Sequence, residues 1–140
     1  ISKRSIAIPK LLAEQLIAAD PTGLERTRSG LLRDVYREMA INGLHPVVIV
    51  DYVREAYVHP AEEVRITFDK QLHTGLNSID LFNPYVPTLP TFDHDEMILE
   101  VKFNRVMPPY IRDLLCTCVK SAQNSAISKY VWCRRFENFE

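Results

Sequence analysis

Three stretches of this chain alternate with a period of two, which limits the folds open to it more than any other feature. In the sharpest of them Val64, Ile66 and Phe68 point one way, and Arg65, Thr67 and Asp69 the other. In the second, Met97, Leu99, Val101 and Phe103 oppose Ile98, Glu100, Lys102 and Asn104. The third is dense in β-branched residues from Val47 to Val53 and is closed by a turn at His59-Pro60. Along it Tyr52, Arg54 and Ala56 share one side, while Asp51, Val53 and Glu55 share the other. Successive side chains of a pleated strand point to opposite faces, so these stretches read as β-strands over 47–58, 64–70 and 97–104. Each presents a charged side, and the remaining sides are apolar enough to be covered by helices.

The remainder of the chain supplies those helices. Pro9 suits a first helical turn, and Leu11, Leu12, Leu16 and Ile17 form a short amphipathic helix that stops before Asp20-Pro21. Ser29 is placed to cap a second helix carrying Leu32, Val35, Tyr36 and Met39, and Gly43 is placed to end it. Pro108 or Pro109 opens a third that runs to about Cys118. The segment from Ser125 to Phe136 mixes helical and extended patterns and is compatible with either. Residues 71–95, with Pro84, Pro87 and Pro90, read as a long surface excursion with one short strand near 78–82. The opening residues, Ser2 to Ile8, alternate like a strand already in progress, whose partner would lie upstream.

Composition excludes several classes of function. Seventeen Lys plus Arg against eighteen Asp plus Glu give a formal net charge of −1, so no global basic field advertises nucleic-acid or membrane binding. An anion site must come from local clustering. No apolar run approaches the ~20 residues of a membrane span, and no leader with a basic start and apolar middle is visible, so a soluble, cytoplasmic protein is expected. Cys116, Cys118 and Cys133 are odd in number and lack paired metal spacing, which favours reduced thiols. Asp93-His94-Asp95-Glu96 imitates a metal cluster, but consecutive loop residues cannot all face one ion. No Gly-x-Ser-x-Gly elbow surrounds any serine, and the aromatic residues form no stacking platform.

Chemistry therefore concentrates on the charged sides of the strands. Taken singly, a charged i, i+2 pair is more often a solvated sheet face than a site. If the sheet curls so that those sides converge, Arg54, Arg65, Lys102 and Lys129 would line a cavity suited to a polyanion. Glu100 would then be available to a hard cation accompanying phosphate.

Four motifs in order, Tyr52-Val53-Arg54-Glu55-Ala56-Tyr57, Val64-Arg65-Ile66-Thr67-Phe68-Asp69, Leu99-Glu100-Val101-Lys102-Phe103 and Ser128-Lys129-Tyr130, resemble the VTC domain family. That family belongs to the triphosphate tunnel metalloenzymes, the CYTH-like superfamily. The resemblance implies an α+β fold: a closed antiparallel β-tunnel with helices packed outside. Residues 1–140 would be the C-terminal half of a single tunnel domain, about half of the barrel, because the family's first half has no counterpart here. Its partner would be the N-terminal half of the same domain.

Carried over by position, the resemblance implies that Arg54, Arg65 and Lys129 clamp phosphate and that Tyr52 and Ser128 hydrogen-bond to it. Lys102 would add a further cation, Lys3 matches the family's mid-domain lysine, and Glu100 would be the metal ligand. The implied activity is polyphosphate synthesis from the terminal phosphate of ATP with Mn2+ or Mg2+, and any membrane association would come through a partner protein outside this sequence. Two alternatives share the same lining: a tunnel triphosphatase in which water accepts the phosphoryl group, and a non-catalytic polyphosphate or nucleotide sensor.

Overall fold

The computed structural model describes residues 3–60, 63–93, 95–119 and 122–135. They form two compact units, Ile1–Ile49 with Asn77–Val86 and Val50–Leu76 with Pro87–Glu140. Among the described residues the architecture is α+β, with four α-helices and one open, four-stranded antiparallel sheet, as expected for part of a tunnel.

In the first unit, α1 (Lys10–Ile17) follows Pro9, whose fixed φ suits the entry to a helix. A 3-10 turn at Thr22–Leu24 is started by Asp20, whose carboxylate accepts both the backbone N–H and the hydroxyl of Thr22. Helix α2 (Gly30–Ala40) is capped by Ser29, whose Oγ accepts the N–H of Leu32. It ends where Gly43 takes a φ of +69° and the Leu44 N–H closes back onto the Glu38 carbonyl. Residues 3–8 are not a strand. Among the described residues no strand pairs with them, and an unpaired strand leaves its backbone groups unmet. Ile1 and Ser2 lie outside the described residues. The strand expected near 78–82 is also absent, and 81–82 form a turn.

The second unit is built on β2 (Val64–Thr74). It pairs on one edge with β1 (Val50–His59) and on the other with β4 (Met97–Lys102) and the two-residue β3 (Leu89–Pro90). Strand β2 runs four residues further than its alternation suggested. The cause is a bulge: the register shifts between Asp51 and Val53 of β1, opposite Gln71, which has a φ of +52°. The extra residue reverses the alternation, so Leu72 and Thr74 continue the face of Thr67 and Asp69, and all four are buried. Thr91 joins them, donating its N–H and hydroxyl to the Leu72 carbonyl. Part of the stretch expected on the surface is therefore core, because the bulge turns Leu72 inward.

Helix α3 (Pro109–Cys118) starts with proline at its first position, and α4 (Lys129–Arg135) resolves the ambiguous last segment as helix. Phe136 lies outside the described residues. The Trp132 ring of α4 meets Phe92 edge-on at 5.0 Å, and the buried Cys133 thiol donates to the His73 carbonyl, which fixes the helix to the end of β2. The opposite face of the sheet carries Val53, Tyr57 and Met97, each about half exposed.

Candidate functional site

Antiparallel pairing sets Arg54 opposite Asp69, Thr67 opposite Glu100, and Arg65 opposite Lys102. Because these positions alternate with the apolar ones, Arg54, Arg65, Glu100 and Lys102 all lie on one face of the sheet, with Tyr52 continuing it along β1. The face carries a cluster at each end.

At one end stands a carboxylate to which sequence reasoning assigns no role. Asp69 has a side chain with no exposure to solvent, and it accepts two hydrogen bonds from Arg54, Nε to Oδ1 at 2.5 Å and Nη2 to Oδ2 at 2.7 Å. Lys129 reaches down from α4 and places Nζ 2.6 Å from Oδ2. The Tyr52 ring backs both cations, with its centroid 5.2 Å from the Arg54 guanidinium carbon and 5.0 Å from Lys129 Nζ. Arg54 holds the Asp69 carboxyl below the usual carboxylate range, with Lys129 assisting and burial opposing. The same pairing pushes the Arg54 guanidinium above its ordinary value. Arg54 and Lys129 keep 31% and 22% of their side-chain surface, so the anion is sealed while its two cations still reach solvent.

At the other end Lys102 Nζ lies 3.0 Å from Glu100 Oε1, with both side chains well exposed. Arg65 is exposed and stands directly across the strand from Lys102. Like charges in that position repel, a cost that an anion lying between them would relieve. Among the described residues the face sets four cations, Arg54, Arg65, Lys102 and Lys129, against two carboxylates, Asp69 and Glu100. From Asp69 to Arg65 is four residues along β2, about 13 Å at the rise of an antiparallel strand. That length suits an extended polyanion better than a single phosphate.

Two other residues singled out from sequence have settings of their own. Ser128 precedes α4 and its Oγ accepts the Val131 N–H, so it caps the helix that delivers Lys129. Lys3 belongs to the first unit, where it is exposed in chain leading to α1. His94, within the acidic loop that imitates a metal cluster, lies outside the described residues.

A family model described as VTC domain matches residues 1–136. The chain belongs to the VTC domain family. No curated protein and no solved structure gives a significant match. Membership is consistent with a polyphosphate polymerase family and with phosphotransferase-type chemistry. In this VTC domain no helix among the described residues is long and apolar enough to cross a membrane.

The donor set also bears on any metal. Among the described residues no three His, Cys, Asp or Glu side chains converge on one point. Asp69 is taken by Arg54 and Lys129, which leaves Glu100 as the carboxylate of this face that could reach a cation. A single protein carboxylate fits a magnesium-like ion that completes its shell with water and phosphate oxygens, and does not fit an all-protein cage.

Proposed function

We propose that this VTC domain works as a polyphosphate polymerase, transferring the terminal phosphate of ATP to a growing chain held along the charged face of the sheet. The observation that carries the reading is the convergence of Arg54 and Lys129 on buried Asp69, with Arg65 and Lys102 continuing the cationic lining. The open sheet would be one wall of the tunnel, and the rest of the same domain would supply the other.

Phosphoryl transfer asks little covalent chemistry of a protein. It needs the donor held in line with an acceptor and its developing charge neutralised. Arg54 keeps three N–H donors beyond the two spent on Asp69, and Lys129 keeps two of its three. Both side chains remain partly exposed, so these donors would hold phosphate oxygens of the donor. Arg65 and Lys102, at the far end, would hold the chain. The Tyr52 hydroxyl and the donor capacity left to Ser128 would add neutral hydrogen bonds. Glu100 would hold the divalent metal, Mn2+ or Mg2+, which when bound supplies charge neutralisation at phosphate oxygens. Neither a nucleophilic side chain nor a general base is required.

The test is product analysis of the intact protein with ATP and manganese on a gel that resolves polyphosphate, repeated with Arg54→Ala. The expected result is long chains from wild type and their loss in the variant. Free phosphate without chains would identify a triphosphatase, and tight binding without turnover a sensor.

A further inference from the structure

Two cations on one carboxylate can be a structural tie and nothing more, or a device that aims the cations at something else. Three features of this cluster separate the two. First, its exposure is graded: Asp69 is sealed, whereas Arg54 and Lys129 keep 31% and 22% of their surface. A tie that only stabilised the fold would have no need to leave both cations in reach of solvent. Second, the cluster carries one more positive than negative charge, so it stays attractive to an anion after its internal pairing is complete. Third, its members come from three elements, Arg54 from β1, Asp69 from β2 and Lys129 from α4, and Tyr52 backs both cations.

The two Asp69 oxygens divide the work. Oδ1 takes Arg54 Nε, and Oδ2 is shared between Arg54 Nη2 and Lys129 Nζ. Sharing one oxygen brings Nη2 and Nζ close together, with unspent N–H bonds on both. Without the carboxylate, two unshielded cations at that spacing would repel, and Lys129 would swing away on its flexible stem.

We propose that Asp69 is a positioning residue that binds Arg54 and Lys129 into a single preorganised clamp for one end of a phosphate chain. The inference rests on the reading of this face as a phosphate-chain site. By tying Lys129 to the sheet, Asp69 also makes the placement of α4 part of ligand binding. A preorganised clamp binds better than the same charges left loose, since the ordering cost has been met before the ligand arrives.

The experiment is calorimetric titration of the intact protein and of Asp69→Asn with inorganic tripolyphosphate, without ATP, at a temperature where circular dichroism shows both folded. The substitution keeps shape and removes a negative charge. If the face attracted phosphate only as a diffuse basic patch, the variant would bind more tightly. The clamp predicts the opposite sign: affinity falls about tenfold or more, as for loss of a charge-assisted hydrogen-bond network. Unchanged or tighter binding overturns the inference while leaving the phosphate-site reading intact, whereas no binding by wild type overturns both. Should Asp69→Asn not fold, Asp69→Glu keeps the charge but displaces the carboxylate by one methylene. The clamp then predicts several-fold weaker binding, and an unchanged affinity would overturn it.

Discussion

Leu72→Ala tests whether β2 continues past its bulge into the core. Leu72 is 1% exposed, and its carbonyl accepts both the N–H and the hydroxyl of Thr91, which holds the backbone in place. The substitution removes three carbons, about 2 kcal/mol of transfer free energy at ~0.8 kcal/mol for each buried group. A backbone tied to Thr91 does not collapse fully into the space, so a cavity contribution of about 1 kcal/mol is added. The expected loss is therefore about 3 kcal/mol. Trp132 is the single tryptophan and packs on Phe92 in the same unit, so urea unfolding followed by its fluorescence reports on the right part of the protein. A loss below about 1 kcal/mol would refute the reasoning, since that is what a leucine in a peripheral loop would cost.

Three further outcomes follow from the geometry. Gln71→Gly should stabilise the protein by about 1 kcal/mol in the same unfolding assay, because a φ of +52° strains any residue with a Cβ. Asp69 titrates below its unfolded value, so its contribution is complete above pH ~5, begins to fade near the unfolded value of ~4 and is lost as pH falls through the depressed folded value. The stability gap between wild type and Asp69→Asn should hold from neutrality to about pH 5 and close in stronger acid. A gap independent of pH down to acid unfolding would contradict the pairing. Glu100→Gln should raise the manganese concentration needed for half-maximal turnover by about tenfold, and an unchanged requirement would remove Glu100 from the metal reading.

The strands are legible because alternation is local: a residue's face depends on its own strand alone. That is why the sequence by itself puts Arg54, Arg65, Glu100 and Lys102 each on the charged side of its own strand, while the pairing register joins those sides into one face. Asp69 is visible on that same side, but its role depends on register. Nothing in Arg65-Ile66-Thr67-Phe68-Asp69 says that Arg54 will stand directly opposite, or that a lysine sixty residues later will descend onto it. A lone carboxylate among expected phosphate-binding cations is still a signal, since it raises the question of which cation it satisfies.

Gln71 gives no warning of its bulge, since glutamine has no preference for positive φ, and Gly75, Asn77 and the prolines beyond draw 71–74 into the loop reading. The helix α4 is seven residues long, too short for periodicity to decide between helix and strand. The opening segment fails for a different reason. Alternation permits a strand, but a strand also needs a neighbour, and among the described residues none is offered.

If one face of the sheet holds an extended phosphate chain, the length of that chain can be measured against the fold. The intact protein should be titrated with inorganic phosphate chains of increasing length, alongside Arg65→Ala. Affinity should rise with length until the chain spans the roughly 13 Å from the Asp69 cluster to Arg65, then level off. Arg65→Ala should weaken only chains long enough to reach it. Equal affinity for short and long chains, or an Arg65→Ala defect that is the same for all lengths, would contradict the account.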